Sequence, residues 1–170
     1  VNFGIIYGQS AFGLSQSLGI PRKEAALIID EYWKQYPSIK TYMNTTINSA
    51  KELGYVQTLM GRRRYLRDIN SANFTVRGFA ERNAINAPIQ GSAADMIKVA
   101  MINIFNRMKR EAHLKSKMIL QVHDELLFDV YKPEIELMKQ LVKEEMENAM
   151  PINVPVVAEA GIGNNWLEAH

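Results

Sequence analysis

The sequence predicts an α+β fold, in which helices dominate the first part of the chain and short antiparallel strands follow. Apolar residues recur at three- and four-residue steps through residues 1–54, which is the spacing of helices with one buried face. Two pairs of short apolar segments, each pair separated by a turn, lie within 55–66 and 118–130 and are typical of β-hairpins. We therefore expect a helical segment over 1–54 and a part with antiparallel strands over 55–170.

Composition limits the classes of function. A chain of 170 residues that is 47% hydrophobic can form one globular domain or pieces of two. No apolar run approaches the roughly 20 residues that cross a bilayer, so we expect a soluble, cytoplasmic protein that binds no membrane. The chain has no cysteine, which excludes disulfides and thiolate sites and favours a hard ion such as Mg²⁺ for any metal. The net charge of +2 is too small to indicate a nucleic-acid partner by itself.

Three helices are predicted before the first hairpin. The first covers residues 10–18 and ends at Gly19, and the second covers 21–36. Ser38 is placed to cap the third, and Gly54 to end it. The first hairpin then turns at Met60-Gly61 and presents Arg62, Arg63 and Arg64.

The segment ERNAINAPIQGSAADMIKVAM places polar side chains at regular steps. Arg82, Asn86 and Gln90 follow one another at four-residue steps, so a helix would line them along one face. Such a face could bind a polar ligand, or it could simply face water.

The same segment contains residues that usually interrupt a helix. Pro88 and Gly91 predict that the helix kinks or stops there, and Ser92 with Asp95 resembles a capping box that starts another helix. The apolar stripe of that second helix is predicted to be buried and comprises Ile97, Met101, Ile104, Phe105 and Met108.

The segment MILQVHDELLFDVY carries the strongest local indication of chemistry. Two apolar strands flank His123, Asp124 and Glu125, which places two carboxylates at the tip of a tight hairpin. Hydrated magnesium, held by one or two carboxylates and by substrate phosphates, suits this arrangement. A plain polar turn is the alternative. A glycosidase pair is disfavoured because neighbouring strand residues point to opposite faces.

Five motifs occur together, namely NFGIIYG, GRRRY, ERNAINAPIQGSAAD, QVHDE and GIGNNW. In this order and at about this spacing they resemble family A of the DNA polymerases over essentially the whole chain. The resemblance implies part of a right-hand polymerase, with the C-terminal part of the fingers over 1–54 and the C-terminal part of the palm over 55–170.

The resemblance also implies roles for single residues. Phe3 would lie near the sugar of the incoming nucleotide and would discriminate against chain terminators that lack the 3′-hydroxyl, and Tyr7 would lie near the templating base. Asp124 would be one of two metal-binding aspartates, with Glu125 in support, and the complete enzyme would use two Mg²⁺ ions. The remaining residues would contact DNA: Gln121 and His123 near the primer end, Arg82, Asn86 and Gln90 along the template and minor groove, and Arg62, Arg63 and Arg64 at duplex phosphates.

The activity that the resemblance implies is transfer of a deoxynucleotide from a dNTP to a primer 3′-hydroxyl. In the family, the lysine and arginine that bind the triphosphate, and a second catalytic aspartate, precede NFGIIYG. We therefore expect this chain to be a piece of a longer enzyme, inactive alone, with an exposed sheet edge. Its partners would be primer–template DNA, dNTP and the remainder of the polymerase chain. The alternatives are a single-subunit RNA polymerase, a non-catalytic nucleic-acid-binding module and a purely structural helical domain.

Overall fold

The structure is a computed structural model that describes residues 2–6, 8–111 and 113–169, without the side chains of Asn2 and Phe3. The chain divides into two compact units, Val1–Gly91 and Ser92–His170. Helices and two antiparallel hairpins make up the regular structure of the described residues. The prediction of an α+β fold is therefore confirmed.

The three helices predicted before the first hairpin are present, and a further short helix precedes them. In chain order they are α1 (Asn2–Ile6), α2 (Ala11–Leu18), α3 (Arg22–Gln35) and α4 (Pro37–Leu53). The Ser10 hydroxyl accepts a hydrogen bond from the Gly13 N–H at 3.2 Å and caps α2. Gly19 and Gly54, with φ of 66° and 76°, end α2 and α4 in the left-handed conformation that glycine adopts without strain.

The predicted cap of α4 is wrong. Pro37, not Ser38, is the first residue of α4, Tyr36 precedes it, and no described side chain caps the helix. Proline suits this position because its fixed φ matches the helix and its missing N–H would have no partner there.

The first hairpin is confirmed. Strand β1 (Tyr55–Gln57) pairs antiparallel with β2 (Arg63–Tyr65), with Val56 opposite Arg64. Gly61 has a φ of 80° in the connection. The cluster of buried residues beneath the hairpin is drawn from α4, the hairpin, the loop after it and the helix that follows: Ala50, Val56, Leu66, Ile69, Ala80 and Ala84.

Helix α5 (Phe74–Arg110) is a single helix, so the predicted break at Pro88 and Gly91 is wrong. Its first turn is capped by Asn73, whose side-chain oxygen accepts from the N–H groups of two of the next three residues. The unit boundary nevertheless falls between Gly91 and Ser92.

Packing on both sides of Pro88 explains why α5 continues. Ala84 and Ile85 before the proline, and Ile97 and Ile104 after it, are buried. The burial of several such side chains, at about 1.5–3 kcal/mol for each large one, exceeds the roughly 3 kcal/mol that an interior proline costs.

The predicted start of a second helix at Ser92 and Asp95 is likewise wrong. Both residues lie inside α5 and are buried, so they do not form a capping box at a helix start. The predicted buried stripe is confirmed at Ile97 and Ile104, whereas its two methionines are only partly buried. Phe105 is 58% exposed, however, and does not belong to the core of the described residues.

The second unit contains the second hairpin, which is confirmed, and a longer helix that was not predicted from the sequence. Its elements are β3 (Lys117–Val122), β4 (Glu125–Asp129), a 3₁₀ turn (Lys132–Glu134), α6 (Ile135–Glu147) and the short α7 (Trp166–Ala169). Met138 and Leu141 of α6 are buried, and Arg107 of α5 donates to the carboxylates of Glu144 and Glu145 at 2.7 and 3.1 Å. These hydrogen bonds tie α6 to α5 and raise the pKa of the Arg107 guanidinium. None of the described helices is long and apolar enough to cross a membrane.

Candidate nucleic-acid and nucleotide site

The turn of the second hairpin presents His123 and Asp124. Val122 pairs with Glu125 across the two strands, so two residues make the connection. His123 has a φ of 54°, which a side chain other than glycine rarely adopts. The Gln121 side-chain amide donates to the His123 carbonyl at 2.9 Å and holds this conformation. Strained backbone of this kind is concentrated at functional sites, which makes the turn a candidate for chemistry.

Two carboxylates follow one another at this turn. Asp124 lies in the turn and Glu125 is the first residue of β4; both side chains are exposed. Among the described residues, no group of three or more histidine, aspartate or glutamate side chains is arranged to hold a metal. The adjacent pair supplies only oxygen ligands, which fits magnesium when water or phosphate completes the coordination.

The three arginines of the first hairpin point in different directions. The Arg62 guanidinium donates to the Gly91 carbonyl at 3.0 Å, and that of Arg64 to the Asn83 side-chain oxygen at 3.3 Å. Both of these contacts reach α5. Arg63 instead lies 4.6 Å from the centre of the Tyr55 ring. The three predicted phosphate contacts are therefore not equivalent.

The polar residues of α5 lie along one side of the helix, as the sequence predicts. Arg82, Asn86 and Gln90 lie on one uninterrupted helix at four-residue steps, with Arg82 and Gln90 exposed. The Asn86 side-chain oxygen is buried and has no hydrogen-bond partner among the described residues. A buried oxygen of this kind normally accepts a hydrogen bond, so Asn86 has capacity for a donor.

The end of α1 approaches this face. Gly8 has a φ of 83°, and a Cβ atom built there would lie 3.1 Å from the Arg82 Cγ. Phe3 lies in α1, but only its backbone is described, and Tyr7 lies outside the described residues. The predicted nucleotide contacts of Phe3 and Tyr7 stay predictions.

The predicted site residues therefore form two groups, one in each unit. The hairpin arginines and the polar face of α5 belong to the first, and the segment from Gln121 to Glu125 to the second. Sequence reasoning missed Asn83 and Thr58, which hold the hairpin arginines. Thr58 accepts from the Arg62 N–H through its side-chain oxygen at 3.1 Å. The sequence signal for a close contact at Thr58 is Gly91, which was predicted to interrupt the helix and instead lies against this threonine.

The chain is similar to known proteins in both sequence and structure. Residues 1–168 match the family model described as DNA polymerase family A. The chain is 53% identical over 169 residues to DNA polymerase I of Streptococcus pneumoniae serotype 4 and 52% identical over 169 residues to that of Bacillus subtilis. In both comparisons 99% of this chain is covered but only 19% of the relative's length.

A solved structure gives the same result. The chain is similar to the POL domain of Pol1 from M. smegmatis in complex with DNA primer-template and dNTP, with a TM-score of 0.94 and 46% identity. The similarity covers 99% of this chain and 30% of that one.

Proposed function

The chain belongs to DNA polymerase family A, and we propose that it forms the C-terminal part of a polymerase domain that extends a DNA primer on a template. It spans about a fifth of the length of the curated relatives. The activity is therefore proposed for a longer, cytoplasmic polypeptide whose other parts supply the upstream triphosphate-binding residues and the second catalytic aspartate. DNA repair and replication are the processes in which such an activity would serve.

The proposed division is fingers over 1–54 and palm over 55–170. The boundary between the two compact units lies elsewhere in the chain, between Gly91 and Ser92, and reflects packing within each unit. A subdomain boundary is defined by what moves and what binds, so the two divisions need not coincide.

The strained turn of the second hairpin is the observation that carries the proposal. A hydrogen-bonded, left-handed His123 fixes the direction in which Asp124 leaves the hairpin. A positioned carboxylate is what phosphoryl transfer needs, because that reaction depends on positioning and charge stabilisation. Gln121 and His123 would then lie near the primer end.

Asp124 and Glu125 would hold magnesium through their carboxylate oxygens. When bound, two magnesium ions would stabilise the attacking and leaving oxygens of the transfer, an arrangement that polymerases use. Asp124 would be the ligand that this chain supplies, and Glu125 beside it would have a supporting role.

The first unit would contact the substrates. Arg82, Asn86 and Gln90 would track the template and the minor groove of the new base pair, where acceptors common to all correct pairs allow a test of geometry without reading sequence. The side-chain N–H groups of Asn86 would donate to those minor-groove acceptors. Phe3 and Tyr7 would contact the dNTP sugar and the templating base, and the hairpin arginines would contact phosphate. The neighbour's primer-template and dNTP support this choice of partners.

Primer extension by the polypeptide that contains this chain tests the proposal. Templated extension is expected with magnesium and four dNTPs, and Asp124→Asn should lower its rate by about 10³-fold or more, since a lost metal ligand removes several kcal/mol of charge stabilisation. Asp129→Asn is the matched control, because Asp129 is an exposed aspartate at the opposite end of the same hairpin.

Three results would contradict the proposal. Extension that survives in the Asp124→Asn variant would remove Asp124 from the chemistry. Preferential use of ribonucleotides would favour the RNA polymerase alternative. DNA binding without extension would favour a non-catalytic module.

A further inference from the structure

The first hairpin has two faces of different chemistry. Directly opposite residues in an antiparallel pair project to the same side, so Tyr55, Tyr65, Gln57 and Arg63 share one face. Val56 and Arg64 share the other. Val56 is buried in the core of the first unit and Arg64 donates to Asn83, so this second face is covered by α5.

The outward face carries two tyrosine rings in contact, with an arginine side chain over one of them. The rings of Tyr55 and Tyr65 meet edge to face with their centres 5.7 Å apart, and the Arg63 guanidinium lies 4.6 Å from the centre of the Tyr55 ring. The Tyr65 side chain is 67% exposed. A large aromatic ring held by a cross-strand neighbour and left open to solvent is a surface on which another flat ring can stack.

The positive charge around this aromatic cluster indicates which kind of molecule it binds. Arg62, Arg63, Arg64 and Arg67 are all exposed and lie within six residues, with Asp68 as the nearest carboxylate in sequence. Positive charge beside exposed aromatic rings is the combination that binds unpaired nucleic acid, in which phosphates meet cations and free bases stack on rings. The bases of a duplex are already stacked on each other and cannot use the Tyr65 ring.

We propose that the outward face of the first hairpin binds unpaired DNA, with a base stacked on Tyr65 and a phosphate at Arg63. The choice of DNA rests on the proposed polymerase function, whereas the preference for an unpaired strand rests on the exposed ring. The tyrosine hydroxyl takes no part in stacking, so phenylalanine should serve equally at position 65.

The test measures binding of a fluorescein-labelled thymidine oligonucleotide of about twelve nucleotides, and of a blunt duplex of equal length, by fluorescence anisotropy with the polypeptide that contains this chain. Tyr65→Ala should weaken single-strand binding by about 5- to 150-fold and leave duplex binding unchanged, whereas Tyr65→Phe should retain both. Tyr131→Ala is the matched control, because Tyr131 is a half-exposed tyrosine with a lysine 4.7 Å from its ring centre, in the other unit.

Salt dependence separates the two contacts. Arg63→Gln should reduce the slope of log affinity against log salt by about 0.7 for the single strand, and Tyr65→Ala should leave that slope unchanged. The arginine variant also provides a test if the alanine variant fails to fold.

Several results would overturn the inference: equal losses of single-strand and duplex binding in Tyr65→Ala, no loss in either, a Tyr65→Phe variant as weak as alanine, or an unchanged salt slope in Arg63→Gln. The assay contains no free dNTP and no magnesium. A polypeptide that binds single strands through Tyr65 but extends no primer would therefore contradict the proposed function and leave this inference standing.

Discussion

A single carboxylate organises the start of the second hairpin. The Glu134 side chain accepts hydrogen bonds from the N–H groups of Lys115 and Ser116 and, at 2.6 Å, from the Ser116 hydroxyl. That hydroxyl accepts in turn from the Tyr131 N–H at 3.0 Å. These donors, led by the Ser116 hydroxyl, hold the pKa of Glu134 below its usual value of 4.5. The residue thus joins the segments on either side of the hairpin that carries Asp124.

Replacing Glu134 by glutamine should make the free energy of unfolding less dependent on pH. A lowered carboxylate pKa means that the ionised form stabilises the fold, so this contribution is present above pH 4.5 and is lost as the pH falls through the lowered pKa. Glu134→Gln should therefore be less stable than the parent at pH 7, and the difference should shrink towards acidic pH. Urea unfolding at pH 7 and at acidic pH measures the difference in the free energy of unfolding between the two proteins. Glu136→Gln, an exposed change nearby, is the control, and a difference that stays constant with pH would contradict the assignment.

At the scale of elements, the first hairpin is held to α5 by a close approach that excludes side chains. A Cβ atom at Gly91 would lie 2.5 Å from the Thr58 Cγ2, which is closer than two carbon atoms can pack. The Arg62 guanidinium binds the carbonyl of the same glycine. Gly91 therefore serves contact between elements, and the helix continues through it.

Gly91→Ala should destabilise the fold by about 1–3 kcal/mol, the usual cost of overpacking, and chemical denaturation measures the loss. Thr58→Ser removes the clashing methyl group and keeps the hydroxyl that accepts from the Arg62 N–H. In that background the glycine-to-alanine change should be neutral or stabilising by up to about 1 kcal/mol, because alanine favours a helix interior. Equal losses in both backgrounds would show that the methyl contact is not the cause.

At the scale of the whole molecule, the segment after α6 leaves apolar side chains exposed. Residues 151–163, all of them described, form neither helix nor strand. Val154, Val157 and Ile162 are 64%, 72% and 54% exposed, and both sheets in the described part of the chain have only two strands. Exposed apolar segments and open strand edges favour association with another chain or another part of the same polypeptide.

The 170-residue chain on its own should therefore self-associate as its concentration rises. Val157→Lys places a charge in the exposed segment and should shift sedimentation towards the monomer, because burying an unpaired charge is costly. Leu27→Lys, at an exposed apolar position of α3, should leave association unchanged. A strictly monomeric parent, or equal effects of both variants, would contradict this prediction.

Local sequence determined most of the elements and the family. Glycines at 19, 54 and 61 marked the ends of helices and a turn, because their left-handed backbone is a property of single residues, and apolar periodicity located α2, α3, α4 and both hairpins. The Asp124 turn could be predicted for the same reason, since strands and turn are contiguous. Helix α6 was missed, although Ile135, Met138 and Leu141 repeat at three-residue steps.

Only the tertiary structure decided how these elements are used. The continuity of α5 through Pro88, the contact of Arg62 with a carbonyl 29 residues away and that of Glu134 with a serine 18 residues away depend on segments that meet only after folding. The free energy of such contacts comes from distant partners, so it leaves no periodicity or spacing in the sequence to find. The same packing decided which of three consecutive arginines lies outward with two tyrosines, because the side of a strand that is covered depends on what packs against it.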